Sequence, residues 1–156
     1  MPNAQPELVR GLTPAEAERV LALGTPMSLK AGGVLFRLGD PAEQVYLITR
    51  GRVALTLPMQ VAGREEDVLV EERAAGETIG WSALIPPHRF TLKAAVPLDT
   101  EVVAFSRAAL IEYFGTNPEV GYTVTRNVAT VMGQRLQVFQ TMWLREMQRM
   151  VEHRSA

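Results

Sequence analysis

Residues 25–106 consist of short apolar runs separated by glycine-bearing turns, and this pattern constrains the fold more than any other feature of the chain. Within the runs, apolar residues alternate with polar ones or cluster as β-branched side chains, which is typical of short β-strands. Short strands with frequent turns favour a β-sandwich or barrel over a parallel sheet. The predicted strands cover residues 25–30, 34–38, 45–49, 53–57, 68–72, 90–95 and 101–106, and residues 60–67 form a predicted polar loop.

Helical patterns lie on both sides of this β-rich region. A threonine cap, a proline and a glutamate at residues 13–16 form a strong helix-start signal, and Gly24 ends this first helix. A serine-capped short helix is predicted over residues 107–114, and the apolar period stays helical from residue 119 to about residue 153. At about 1.5 Å per residue, the last helix reaches about 50 Å and extends beyond a small barrel.

One face of the long predicted helix carries apolar residues at spacings of three and four, which we call the apolar stripe. Left exposed, these side chains would form a patch too large for a soluble monomer. One interpretation places the stripe in the core of a single chain. We favour a homodimer in which two stripes pack together, although a methionine-rich surface would also suit a different protein partner. The stripe consists of Met132, Leu136, Phe139, Trp143, Met147 and Met150.

The composition excludes several classes of site and partner. The chain has 156 residues, a formal net charge of -1, no cysteine and two histidines. Disulfides, thiolate metal sites and cysteine nucleophiles are therefore excluded, and two histidines far apart in sequence do not predict a metal site. The near-neutral charge gives no general attraction to nucleic acid or to a membrane. The chain has no signal-peptide pattern and no membrane-spanning apolar run, so we expect a cytoplasmic protein.

The stretch over residues 76–91, which we call the cassette, combines two glycines, a short apolar segment, two prolines and a basic pair. Gly80 would let a ligand approach the backbone closely, and a short helix after it would direct N–H groups at an anion. Arg89, from the next predicted strand, could pair with the same anion through its guanidinium. The cassette therefore predicts a phosphate-binding cradle. The simpler alternative is a surface turn in which Trp81 packs in the core.

The order of these elements resembles the cyclic nucleotide-binding domain family, shared by catabolite-activator transcription regulators, protein kinase regulatory subunits and gated channels. The resemblance covers the chain from about residue 8 to the terminal helix. It implies a mostly β fold with flanking helices: a helical segment over residues 1–24, a double-stranded β-helix (jelly-roll) barrel over 25–106, and helices over 107–156 that include a dimerisation helix. The matching pieces are residues 31–36 with 39–40, residues 45–48 with 50–53, and Gly76 with Gly80.

In this family, the resemblance implies, a glutamate after the cassette glycine binds the ribose 2′-hydroxyl and a later arginine binds the cyclic phosphate. Gly80 and Ala83 match the family pattern, but Trp81 stands in place of the glutamate and cannot accept a hydrogen bond through its side chain. Arg89 is the best match to the arginine, although the serine or threonine that should follow it comes one residue late, as Thr91. A shift of register by one residue puts His88 at the arginine position instead. The candidate ligand-binding residues are Gly80, Trp81, Ser82, Ala83, Arg89 and Thr91.

These departures predict weak or no binding of cyclic AMP. Loss of the ribose carboxylate removes a charge-assisted hydrogen bond of about 1.5–3 kcal/mol, or about one to two decades of affinity. Two outcomes stay open. The pocket binds a different small anionic ligand with Trp81 as an apolar wall, which makes the protein a non-catalytic, dimeric sensor without a cofactor. Alternatively, Trp81 fills the pocket and the protein is a dimeric interaction or scaffold module.

Other functions have less support in the sequence. Enzymes on jelly-roll barrels usually hold a metal with two or three histidines, and only His88 lies in the predicted barrel, which is also thin support for a haem sensor. Transcription regulators of the family carry a helix-turn-helix after the long helix, and the sequence shows no such segment before Ala156. Arginines near its end alternate with glutamates, as on a solvated helix face. We therefore expect neither catalysis nor direct DNA binding.

Overall fold

The computed structural model describes residues 5–155, with a β-rich unit between helical segments. A short 3-10 helix (Glu7–Val9) and α1 (Pro14–Leu21) come first. The strands are β1 (Thr25–Leu29), β2 (Val34–Phe36), β3 (Gln44–Arg50), β4 (Arg52–Val61), β5 (Arg64–Ala74), β6 (Thr78–Ile79), β7 (Lys93–Ala95) and β8 (Thr100–Ser106). A second 3-10 helix (Trp81–Ala83) lies between β6 and β7, and α2 (Arg107–Thr116) and α3 (Pro118–Arg154) follow the strands.

The start of α1 agrees with its sequence signal. The Thr13 hydroxyl accepts a hydrogen bond from the backbone N–H of Glu16 at 3.2 Å, and the Thr13 N–H donates to the Glu16 carboxylate at 3.0 Å. This reciprocal pair is a capping box, which satisfies two backbone donors at the helix end. The hydrogen bond from the Thr13 backbone N–H holds the pKa of the Glu16 carboxyl below its ordinary value. The helix ends at Leu21, three residues before the glycine expected to end it.

The strands form two four-stranded antiparallel sheets, in the orders β1-β8-β3-β6 and β2-β7-β4-β5. Buried apolar side chains from both sheets make one continuous core with those of the flanking helices. The predicted mostly β fold with flanking helices is therefore confirmed, as a β-roll of two sheets rather than a closed barrel. The largest fully buried strand residues include Val45, Ile48, Val53, Leu55, Val102 and Phe105.

The predicted polar loop over residues 60–67 is wrong. β4 and β5 pair continuously out to Val61 and Arg64, and only Ala62 and Gly63 form the turn. Both turn residues have positive φ, 50° and 78°, which suits a tight two-residue hairpin turn. The outer half of the hairpin is exposed, so its polar residues reflect strands without a buried face rather than a loop.

Two further boundaries differ from the prediction. The strand expected over residues 90–95 is limited to Lys93–Ala95. The backbone before it forms only an isolated bridge, between Arg89 and Pro41. The short helix α2 continues through Gly115 to Thr116, since its last turn is extended by hydrogen bonds from the Asn117 N–H to the carbonyls of residues 113 and 114.

The long helix α3 has two halves with different surroundings. Its buried residues are spaced by three or four and face the β-roll: Val120, Gly121, Val124, Val128, Val131 and Arg135. The Asn127 amide donates to the carbonyls of Leu8 and Arg10, each at 2.9 Å, and so fixes this half to the N-terminal segment. From Leu136 onward every described residue of the helix is exposed.

Over the described range 5–155, every helix is too short or too polar to cross a membrane. The location of the protein in the cell stays a prediction from its sequence.

Candidate functional site

Within the cassette, Gly80 directly follows the short strand β6. Its φ of +83° lies in the left-handed region that favours glycine. A Cβ atom there would lie 3.0 Å from the carbonyl oxygen of Gln44 and 3.1 Å from the ring of Tyr46, both on β3. Burial beside the cassette also raises the pKa of the Tyr46 phenol. Glycine is thus required here for its backbone conformation and for close packing against β3.

Replacement of Gly80 by alanine should lower the free energy of unfolding by about 2–3 kcal/mol, since the left-handed backbone costs about 1–2 kcal/mol and the new methyl group is crowded. Gly76→Ala is the matched control, because Gly76 also has a positive φ of +90° but nothing within 4 Å of its Cβ position. Urea denaturation of both variants measures the difference. Equal losses would show that close packing against β3 contributes nothing.

A cavity of about 10 Å³ lies beside Gly80 between the cassette, the sheets and α3. It brings together four predicted ligand-binding residues, Gly80, Trp81, Ser82 and Thr91. Such a volume holds about one water molecule, whereas pockets for small ligands measure about 300–1,000 Å³. The remaining lining residues are Phe36, Leu55, Phe90, Leu92 and Arg135.

Aromatic side chains account for the small size of this cavity. The rings of Phe36 and Phe90 stack with their centroids 3.7 Å apart and an angle of 9° between their planes. Tyr46 stacks on the other side of Phe36 at 6.1 Å. Trp81 is half-buried and completes the apolar wall. The sequence analysis identified Trp81 as a wall or plug, but it did not identify the two phenylalanines.

The other two predicted ligand-binding residues do not line the cavity. Arg89 is exposed, and its Nη1 donates a hydrogen bond to the carbonyl of Gly39 at 2.9 Å. Ala83 is fully buried, and its carbonyl accepts a hydrogen bond from Arg107 at 3.1 Å. The alternative cassette residue, His88, places its Nδ1 3.3 Å from the Ser82 carbonyl. A role for Arg89 in binding an anion stays a prediction.

Arg135 of α3 lines the cavity and was missed by the sequence analysis. It is only 7% exposed, and its Nε donates to Glu71 at 3.1 Å. Its Nη2 is buried without a hydrogen-bond partner among residues 5–155. Burial lowers the pKa of this guanidinium from its ordinary value, and Glu71 opposes the shift. The available signal was positional, because an arginine four residues after Val131 falls in the buried register of the helix.

Arg135 belongs to a group of buried and partly buried charges that we call the ion cluster: Glu7, Glu71, Arg73, Glu77 and Arg135. The Arg73 guanidinium contacts Glu7 at 2.8 Å, Glu71 at 3.0 Å and Glu77 at 3.1 Å. Glu71 also binds Arg135 at 3.1 Å. The cluster therefore joins the N-terminal segment, β5 and α3 at one point beside the cavity. Across residues 5–155, no group of three or more histidine or acidic side chains is placed to hold a metal ion.

Comparison with known proteins identifies relatives of this chain by sequence. The chain is 29% identical over 121 residues to the Pycsar effector protein XpPycTIR of Xanthomonas perforans. The matched region covers 77% of this chain but 36% of that effector, so the chain spans little more than a third of that relative.

Solved structures share the fold. A cyclic nucleotide-binding domain from Methylobacillus flagellatus superimposes with a TM-score of 0.78 at 19% identity, covering 90% of this chain and 81% of that one. The Thermus thermophilus catabolite activator protein gives a TM-score of 0.73 at 24% identity, covering 88% of this chain and 61% of that protein. The family model described as "Cyclic nucleotide-binding domain" matches residues 26–117, which is more than half of the chain. The chain therefore belongs to the cyclic nucleotide-binding domain family, as the resemblance of its sequence predicted.

Proposed function

We propose that this chain is the non-catalytic sensor domain of a regulatory protein, with a degenerate pocket that takes a small anionic ligand other than cyclic AMP. The cavity beside Gly80 carries this proposal. It lies at the cassette, where the resemblance places the ligand of the family, it measures about 10 Å³, and Trp81 forms part of its wall. A tryptophan side chain offers no acceptor for a ribose hydroxyl. The buried guanidinium of Arg135 supports an anion as the ligand class.

The ligand would contact the four predicted ligand-binding residues that line the cavity, and their chemistry limits what the ligand can be. Ser82 and Thr91 carry hydroxyl groups that can donate hydrogen bonds, and Trp81 presents an apolar surface. These groups suit a compact oxyanion rather than a purine nucleotide. Entry of anything larger than a water molecule requires the lining side chains to move, and α3 supplies one of them through Arg135. Movement of α3 would then transmit the binding of the ligand to a second copy of the chain.

We expect neither cyclic AMP nor cyclic GMP to bind with a submicromolar dissociation constant, which corresponds to about -8 kcal/mol or better. The stacked rings of Phe36 and Phe90 leave no volume for a nucleotide, so binding would have to separate them. Isothermal titration calorimetry of the purified chain with each nucleotide measures this affinity. A submicromolar constant for either nucleotide would overturn the proposed function.

A second candidate function is a dimeric interaction or scaffold module whose pocket is permanently filled. The close stacking of Phe36 on Phe90 favours it, because the two rings already occupy the space beside Gly80. The two candidates differ in their response to anions. A sensor changes its stability or its helix packing when an anion is added at constant ionic strength, whereas a filled scaffold does not.

A further inference from the structure

We propose that Arg135, on the long helix, is the anion-binding group of the cavity, and that a compact oxyanion of the phosphate type competes there with Glu71 for its guanidinium. This inference rests on the proposed function, since it names the group that would recognise the anion in the same cavity. It differs from the sequence prediction, which assigned the anion to Arg89 of the cassette.

The hydrogen bonds of Arg135 are the first support. Nε donates to Glu71 at 3.1 Å, while Nη2 has no partner within the described part of the chain. Buried polar groups are nearly always hydrogen-bonded, so this unpartnered nitrogen, on a side chain that lines the cavity, supports an acceptor there. A guanidinium presents its donors in a planar fork that matches two oxygens of a phosphate or carboxylate. Arg89, in contrast, is exposed and bonded to Gly39.

The charges of the ion cluster explain why the anion would exchange with Glu71 rather than simply add to it. The cluster holds three carboxylates and two guanidiniums, so an added anion meets repulsion while all three carboxylates keep their partners. Glu71 is shared: one carboxylate oxygen binds Arg135 and the other binds Arg73 at 3.0 Å. Release of Arg135 therefore leaves Glu71 paired with Arg73. The exchange moves the guanidinium from β5 to the ligand without stranding a buried carboxylate.

The consequence is that anion binding and the position of α3 are coupled. Arg135 is the last buried residue of the helix, and its ion pair with Glu71 holds α3 to β5 at that point. The cavity of about 10 Å³ is too small for a phosphate, so the ligand enters only when Arg135 moves. A second site that favours one position of α3 would shift the affinity for the anion by the same factor.

The test is titration of the full chain with inorganic phosphate at constant ionic strength, balanced with sodium chloride, by calorimetry. Arg135→Gln should weaken phosphate binding by about tenfold or more, the effect of losing a charge-assisted hydrogen bond. Arg149→Gln is the matched control, because Arg149 lies on the same helix but is exposed and paired with Glu146 at 3.0 Å. It should bind phosphate as the parent does. Glu71→Gln should tighten binding, since it removes the competing carboxylate.

Circular dichroism melts check that each variant folds. If Arg135→Gln fails to fold, Arg135→Lys decides, because lysine keeps the charge beside Glu71 but lacks the second nitrogen. It should fold and still bind phosphate several-fold more weakly. Three results would overturn the inference: no saturable phosphate binding by the parent, parental affinity in both Arg135 variants, or a loss of affinity confined to Arg89→Gln. None of these results bears on the cyclic nucleotide titration. There, a submicromolar dissociation constant would instead overturn the proposed function.

Discussion

Replacement of Arg73 by methionine should lower the free energy of unfolding by about 3–5 kcal/mol, the usual cost of removing one partner from a buried ion pair. Arg73 is only 5% exposed and is the contact common to three glutamates, Glu7, Glu71 and Glu77. Without it, three carboxylates stay close together in a partly buried site, and of the three only Glu71 has an ion pair with Arg135 in the described part of the chain. Methionine keeps most of the side-chain volume, so the loss would report charge rather than a cavity.

Arg52→Met is the matched control for this experiment. Arg52 lies on the paired strand β4, is half exposed, and contacts a single carboxylate, Glu72, at 3.4 Å. Surface ion pairs contribute about 1 kcal/mol or less, so this variant should unfold close to the parent. Urea unfolding followed by circular dichroism gives both values. Similar stability of the two variants would mean that the ion cluster does not hold the N-terminal segment and α3 to the β-roll.

Replacement of Phe139 and Trp143 together by glutamate should convert a dimer into a monomer or an aggregate. Phe139 is 38% and Trp143 is 62% exposed, and both lie beyond Arg135, where every described residue of α3 is exposed. Burial of such apolar surface in a dimer contributes about 25 cal/mol of favourable free energy for each Å² removed from water. We therefore predict a homodimer through the apolar stripe. Light scattering at tens of micromolar, a range well above typical dissociation constants of stable dimers, measures the mass.

The double variant Gln137→Glu with Thr141→Glu controls for the added charge. These positions have the same spacing of four residues on the same exposed half of α3, but they lie on the opposite side of the helix from Phe139 and Trp143. The control should keep the mass of the parent. A monomeric parent at tens of micromolar would contradict the predicted dimer, and an equal effect of the two double variants would attribute the change to charge alone.

The elements that were predictable from the sequence are those with local signals. Thr13 and Glu16 form a capping box, which depends only on residues three apart, and its prediction is confirmed. The order of short strands and glycine turns likewise identified the family. The error at residues 60–67 has the opposite cause. β4 pairs with β7 only over residues 54–56, so the outer end of the β4–β5 hairpin pairs within the hairpin alone and exposes its side chains, and it lacks the apolar alternation that normally marks a strand.

The candidate site was predictable only in part, because it depends on contacts between distant residues. Gly80 and Trp81 could be singled out from the cassette alone. The stacking of Phe36 on Phe90 joins residues from two separate segments, and the contact of Arg135 with Glu71 joins α3 to β5. No local pattern fixes such pairs. The position of Arg135 in the series of buried apolar residues on α3 was a usable signal. The same position would equally have allowed an exposed arginine just beyond the end of the buried series.

The change of surroundings along α3 has a mechanical consequence. Beyond Arg135 the helix runs for about 28 Å at about 1.5 Å per residue, and its described residues there are exposed. We expect this exposed portion to act as a lever that pivots at the ion pair of Arg135 with Glu71. A tilt of about 10° at the pivot would displace the far end by about 5 Å, roughly one helical turn. We therefore expect a change smaller than a side chain beside Gly80 to become a sideways displacement of about 5 Å at the far end of α3, where the predicted second copy would pack.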